Sequence, residues 1–277
     1  MSASLENRVI VVTGAANGIG NALALALAAE GAILVLVDID AEGLGALRRS
    51  FAGDGGGLRA TVVRADVRDA AALENLARNA AAAHGWVDAV VNCAGIVIPG
   101  AIDTCPAEDI TRQLETNLGG TINVTRAFVP LFRRQRAGHL VLIASLAGLV
   151  PLPGESIYAA SKFAVRGFAH SIAHELRGTG VEITVVCPDS TRTRMLEIEA
   201  ADALSSLSFS SPAMEPEEVA GAIIRALRRP RLELIVPGLR GRLIRWLGAM
   251  PAAFGLLYPG LDRAARKRKA GYLVHHG

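Results

Sequence analysis

Short, wholly apolar runs alternate along this chain with stretches whose apolar residues return at helical spacing. That alternation predicts an α/β body: a parallel sheet covered by helices on both faces. The runs Arg8–Thr13, Ile33–Asp38, Ala60–Ala65, Trp86–Asn92, His139–Ala144, Val181–Cys187 and Leu232–Val236 predict buried strands. Helices are expected from the first glycine turn to about Glu30, and over Ala41–Phe51, Asp69–His84, Pro106–Arg134 and Ser156–Arg177. A further helix starts at Pro216, whose fixed φ suits a first turn, with Glu217 and Glu218 favourable to the dipole. Gly53–Gly57 reads as a glycine loop. Ser190–Ala213 fits no element; lying after a strand's carboxyl end, it is expected to be a lid or binding loop, against a plain surface loop.

Composition narrows the class. Of 277 residues, 51% are hydrophobic and 20% charged, which provides a large core and excludes disorder over most of the chain. Three cysteines (Cys93, Cys105, Cys187) without a C-x-x-C pair argue against a disulfide scaffold or a zinc site, and the expected setting is reducing and cytoplasmic. His275 and His276 have no cysteine or carboxylate partner nearby, and His139, His170 and His174 assemble no ligand set, so no metal is expected. Aromatics at 4% speak against a nucleic-acid platform. Charge is uneven: residues 238–277 carry eight basic residues and one acid, Asp262, a net of +7, which leaves −4 on residues 1–237. Residues 1–237 are therefore read as one catalytic domain and residues 238–277 as a basic amphipathic extension. The uncharged stretch Val9–Ala29 is divided by Thr13, Gly14, Asn17, Gly18 and Gly20, and Trp246–Leu261 by Pro251 and Pro259, so neither predicts a transmembrane helix.

Thr13-Gly14-Ala15-Ala16-Asn17-Gly18-Ile19-Gly20 lies between a strand and a helix, the context of a dinucleotide site. Glycines there make the tight turn and let the backbone approach a pyrophosphate at the helix N-terminus. Asp38 ends the second strand 18 residues after Gly20, close to the ~20 expected for the acid on the adenine ribose. A carboxylate at that place repels a 2′-phosphate, and Asn17 supplies no cation, so NAD is expected over NADP. Asp38 could alternatively cap a helix, but Asp40 already suits that role. Tyr158 and Lys162, at i and i+4, share one helix face, where a cation favours the phenolate a general acid/base needs. Lys162 is the only lysine before residue 267, in a chain that otherwise uses arginine.

With Asp66-Val67, Asn92-Cys93-Ala94-Gly95, Asn117 and Ser145 added in order, residues 5–237 resemble the short-chain dehydrogenases/reductases in their short single-domain form. The resemblance implies a Rossmann-like, doubly wound parallel sheet of about seven strands. It implies that Asp66 and Val67 contact the adenine, and that Asn92, Ala94 and Gly95 line the cofactor. Tyr158 would pass a proton to or from the substrate oxygen, Ser145 would donate a hydrogen bond to it, and Lys162 would hold the nicotinamide ribose. Asn117 would anchor a water linking Lys162 to solvent. Pro188, Thr191 and Thr193 correspond to the family's segment beside the nicotinamide. Two positions depart from the family: Cys93 replaces an asparagine and reads as a core residue, and Asp189 replaces a glycine and places a side chain near the reacting ring. Homo-oligomerisation to a dimer or tetramer, through the helices carrying Asn117 and Tyr158, is also implied.

The reading is an NAD-dependent oxidoreductase interconverting an alcohol and its ketone or aldehyde. Ile96, Val97, Ile98, Leu149–Pro153, Met195 and Leu196 predict a hydrophobic small-molecule substrate such as a lipid, steroid, terpenoid or acyl chain. Two alternatives remain: a non-catalytic NAD(H)-binding module at a membrane surface, or dehydratase or epimerase chemistry on the same fold. In the extension, Leu239, Leu243, Trp246, Leu247 and Met250 cluster on one helical face, after which Pro251 and Pro259 interrupt the pattern. Residues 239–269 could meet an anionic membrane from the cytoplasmic side, dock on the chain's own domain or a neighbouring subunit over the substrate cleft, or stay solvated.

Overall fold

The computed structural model describes residues 4–51 and 59–276, with the side chains of 275 and 276 left aside. The predicted glycine loop at 53–57 lies outside the described residues. Seven parallel strands form one sheet: β1 (Val9–Thr13), β2 (Ile33–Asp38), β3 (Ala60–Arg64), β4 (Ala89–Asn92), β5 (Gly138–Ile143), β6 (Val181–Pro188) and β7 (Glu233–Val236). Their spatial order is β3-β2-β1-β4-β5-β6-β7, which reverses direction between β1 and β4. Loops leaving β1 and β4 part at that point and open a crevice at the strands' carboxyl ends.

Both faces of the sheet are covered. On one side α1 (Gly18–Ala29), α2 (Ala41–Ser50) and α8 (Pro216–Arg228) bury Leu23, Leu27, Leu44 and Ile223 against alternate strand residues such as Ile10, Val12 and Leu36. On the other, α3 (Ala70–His84), α5 (Gly120–Gln135) and α6 (Ser156–Glu175) bury Leu73, Phe128, Phe132 and Val165 against Val11, Val90 and Leu140. Continuous apolar strands follow from this double burial. Asp40 caps α2 by accepting from the Gly43 N–H at 2.9 Å.

Three expectations are revised. The helix predicted over 106–134 is α4 (Ala107–Leu114), a π-helical turn at Glu115–Gly119 and then α5, because one turn is widened around Asn117. The segment 190–213 holds α7 (Arg194–Ala201) and a short 3₁₀ turn at Leu207–Phe209, where Leu196, Ala200 and Phe209 bury one another. The extension forms α9 (Gly238–Gly248) and α10 (Pro251–His276). Proline does not interrupt α10: Pro251 opens it, where no N–H is needed, and Pro259 stands on its exposed side, where the freed carbonyl meets water.

His139 marks a pH liability in the core. It is buried on β5, with Nε2 2.8 Å from the Thr184 hydroxyl and Nδ1 unpartnered. Burial pushes it down to about 4, so the native imidazole is neutral. The unfolded chain takes up this proton near its ordinary value of 6.5 and the native state only near 4. Stability is therefore whole above about 6.5 and falls as pH drops toward 4, by up to roughly 3 kcal/mol. Urea unfolding at pH 7.5 and 5 is expected to show this slope in the wild type and a flatter one in His139→Gln. Equal slopes would count against the assignment.

Candidate active site

Two cavities meet at the carboxyl edge of the sheet. The larger, about 800 Å³, runs from Asp38, Asp66 and Val67 across the glycine turn to Ala94, Gly95 and Thr193. The smaller, about 300 Å³, is bounded by Ser145, Tyr158 and Lys162 at its base. Ile19, Cys93, Gly95, Thr193 and Met195 border both, so the cavities are continuous beside Ser145, Tyr158 and Lys162.

The larger cleft fits a dinucleotide. Gly14 has φ +65°, and a Cβ on it would stand 2.7 Å from the Ala94 nitrogen; one on Gly20 would collide with the Gly14 carbonyl. Bare backbone therefore lines the turn. Asn17 precedes α1 without capping it, its amide being donated to Asp40 at 3.1 Å, so the first-turn N–H groups lack a side-chain acceptor. A pyrophosphate oxygen suits that place. Asp38 accepts from the Ala16 N–H at 2.9 Å and the Asp40 N–H at 3.0 Å, which ties both turns together and leaves its carboxylate at the cleft wall. Asp66 is paired with Arg68 at 2.6 Å.

Asn92 stands behind this wall. It is buried, accepts from the Thr13 hydroxyl at 2.6 Å and donates to Thr121 at 2.9 Å, which joins β1, β4 and α5. Cys93 packs against the core, and burial pushes its thiol up to about 12. Pro188 and Thr191 border the smaller cavity, and Thr191 bridges to Met214.

Tyr158 and Lys162 lie on successive turns of α6, with the Lys162 Nζ 5.5 Å from the tyrosine ring centroid. Nζ donates to the Ile143 carbonyl at 3.1 Å, and burial pushes the ammonium down to about 8. Burial, with the neighbouring Glu199 and Glu155 carboxyls, pushes the Tyr158 phenol up, while a hydrogen bond with the Ser145 hydroxyl opposes the rise. Asn117 comes from the π turn. Its amide donates to the Ile96 carbonyl at 2.9 Å and the Ser161 hydroxyl at 3.0 Å, and its oxygen accepts from the Ile96 N–H at 2.8 Å. A Cβ on Gly95 would lie 3.2 Å from the Asn117 Oδ1 and 3.4 Å from the Lys162 Nζ, so the three residues share one corner. Extra turns of this kind recur where a helix must aim a functional group.

Three features of the smaller cavity were not settled by the sequence. Ile244, Leu247, Phe254 and Leu261 of the extension form part of its wall, opposite Leu146, Val150, Leu152 and Met195. Gly241 and Gly248 allow this, because a Cβ on either would collide with Ile235 or with the Leu149 carbonyl. The extension thus docks on its own domain, one of the three arrangements open from its pattern. Second, the Asp189 carboxylate is paired with Arg240 of α9 and accepts from the Ser211 hydroxyl at 3.1 Å. The charge next to the reactive side chains is therefore neutralised by the extension. Third, Glu155 and Glu199 are buried beside Tyr158. Burial pushes both carboxyls up, Glu199 well above the usual range, and the buried Glu155 Oε2 has no hydrogen-bond partner among the described residues. Among the apolar residues expected to meet substrate, Val150, Leu152, Met195 and Leu196 line this cavity. Ile96, Val97 and Ile98 line the larger cleft, because the loop after β4 turns toward the glycine turn.

The profile of the short chain dehydrogenase family matches residues 8–203. A 1-deoxy-11-beta-hydroxypentalenate dehydrogenase of Streptomyces exfoliatus is 38% identical over 233 residues, 83% of this chain and 83% of that one. A glycine betaine reductase of Emericella nidulans is 34% identical over 82% of this chain, which spans only 18% of that protein. Among solved structures, a short chain dehydrogenase/reductase from Burkholderia phymatum in complex with NAD superposes with a TM-score of 0.79 at 28% identity, covering 88% of this chain and 93% of that one. Among the described residues, no helix is long and apolar enough to cross a membrane.

Proposed function

The chain belongs to the short chain dehydrogenase family of oxidoreductases, and on that premise we propose that it interconverts an apolar secondary alcohol and its ketone, with NAD as cofactor and Tyr158 as general acid/base. One observation carries the reading: apolar side chains make up most of the wall of the smaller cavity, which also holds Asp189, Glu199 and Arg240, and the hydroxyls of Ser145 and Tyr158 border it. Its volume of about 300 Å³ suits a compact apolar body such as a terpenoid, a steroid or a folded acyl chain.

Asp38 favours NAD: its carboxylate would accept from the ribose hydroxyls and repel a 2′-phosphate. Gly14, Gly18, Ile19 and Gly20 would carry the pyrophosphate, Asp66 and Val67 the adenine end, and Gly95, Pro188, Thr191 and Thr193 the nicotinamide end. Bound there, the nicotinamide gives or takes the hydride. The rest is proton and charge management by the chain. Ser145 donates a hydrogen bond to the substrate oxygen, where negative charge develops. Tyr158, its phenol pushed up, keeps its proton in the free site and gives it to a carbonyl oxygen in reduction. In the oxidising direction the phenol first gives up its proton along the path through Lys162 and Asn117, and the phenolate then takes the hydroxyl proton; the Lys162 ammonium, at about 8 and still charged at neutral pH, offsets that phenolate. Asn117, fixed by Ile96 and Ser161 next to Lys162, positions the path by which protons reach the lysine. Asp189, the residue that favoured a binding module without turnover, is answered by Arg240 and no longer argues against redox chemistry.

The test is reduction of NAD⁺ and NADP⁺ over secondary alcohols graded from propan-2-ol to cyclic terpenoid and steroid alcohols. Turnover is expected with NAD⁺, with kcat/KM rising at least tenfold from the small polar alcohols to the bulky apolar ones. Turnover confined to small polar alcohols would overturn the substrate class, and a preference for NADP⁺ would overturn the role of Asp38.

A further inference from the structure

Residues 238–276 have two faces with different jobs. The inward face is already filled: Phe254 is buried in the cavity wall and Ala265 in the apolar cluster with it, Gly241 and Gly248 press on β7 and Leu149, and the Lys269 Nζ donates to the carbonyls of Glu199 at 2.9 Å and Ser205 at 3.1 Å. The cation closes the C-terminal end of α7 and fixes the rotation of α10. Apolar residues on the outward face therefore cannot be buried by rolling either helix.

That outward face is unusually apolar. Leu239, Leu243 and Trp246, at i, i+4 and i+7, form one stripe along α9, and exposed Met250 follows just past its end; Leu239 is 76% and Trp246 71% exposed, and Leu256 at the start of α10 is 84% exposed. Exposed Arg242 borders the stripe, and exposed Arg263 and Lys267 continue the outward side of α10 from Leu256 at helical spacing. With its net charge of +7, the segment joins a tryptophan-bearing apolar stripe to a basic rim, while the rest of the chain carries −4.

We infer that this face is a docking surface for an anionic lipid bilayer, with the stripe entering the headgroup boundary and the arginines and lysine meeting lipid phosphates. Charge decides against a second copy. Two-fold association presents the same patch from both partners and would bring the exposed Arg242, Arg263 and Lys267 of each copy together. The inference rests on this surface alone and stands whichever substrate the cavity takes. Because the same two helices wall the cavity, docking would place its lid against the lipid.

The experiment uses the full chain carrying Trp86→Phe, so that Trp246 is the only tryptophan, with vesicles of equimolar phosphatidylglycerol and phosphatidylcholine or of phosphatidylcholine alone. A blue shift of the emission and co-sedimentation are expected on the anionic vesicles, about tenfold weaker on the neutral ones and weakened as salt rises from about 0.05 to about 0.5 M. Adding Leu243→Glu/Met250→Glu is expected to lower binding about tenfold while NAD⁺-dependent turnover stays within twofold. Absence of binding to anionic vesicles, or binding that the double substitution leaves unchanged, overturns the inference. Sedimentation velocity separates the rival: an oligomer that the double substitution dissociates, with no vesicle binding, would give this face to another copy of the chain.

Discussion

Tyr158→Phe is expected to lower turnover in both directions by a factor of 10² to 10⁴, the usual worth of a positioned proton donor. The substitution removes one oxygen and keeps the ring. That ring packs with Val97, Ala147 and Ala159, and none of those contacts needs the hydroxyl. Since burial already disfavours the ionised phenol, the phenylalanine costs the fold little. Binding of NADH, followed by fluorescence titration, should therefore change by no more than a few-fold, and the loss should fall on kcat. Ser145→Ala should follow the same pattern with a smaller loss, because it removes one donor to the substrate oxygen and leaves the proton source. Turnover within tenfold of wild type in Tyr158→Phe would end the case for this tyrosine as the acid/base.

How much of this was legible in the sequence depends on how local each cause is. The strands could be read because double burial writes itself as unbroken apolar runs: Val9–Thr13 and Ile33–Asp38 have no polar face to interrupt them. Their parallel, doubly wound arrangement came through the family resemblance, and their spatial order from the structure. The corner of the site built by Tyr158, Lys162 and the glycine turn was legible for the same reason, since each lies within one helix turn or one loop. The π turn was not. Glu115–Gly119 carries no residue that signals widening, and what holds Asn117 is Ile96 and Ser161, elsewhere in the chain. Asp189 likewise looked like an unanswered charge because its partner stands 51 residues later. The docking of α9 turned on Gly241 and Gly248, which in the sequence read only as weak helix formers. Sequence pattern showed α9 to be amphipathic; it could not show that Ile244 and Leu247 face inward while the tryptophan stripe faces out.

Arg240→Met is expected to be the most damaging single change in the extension. The Asp189 side chain is 9% exposed, and without the guanidinium its carboxylate keeps only the Ser211 hydroxyl and the Ser190 N–H. Breaking a buried pair from one side costs about 3–5 kcal/mol; Arg240 is about a third exposed, which discounts this to roughly 2–3 kcal/mol. The penalty falls first on the docking of α9, whose hold on the domain is narrow where Gly241 and Gly248 touch it. Opening that wall should lower kcat/KM for bulky apolar substrates roughly tenfold and leave NADH binding nearly unchanged. Asp189→Gly alone should be milder, because the partly exposed guanidinium left behind can still reach water. The double variant, Asp189→Gly/Arg240→Met, removes both charges and should recover most of the loss. A coupling of about 2 kcal/mol from urea unfolding of the four proteins would identify the pair as the latch that shapes the cavity. Additive effects would mean that the extension is held by its apolar face alone, and that Asp189 entered this site for a reason unconnected with closing it.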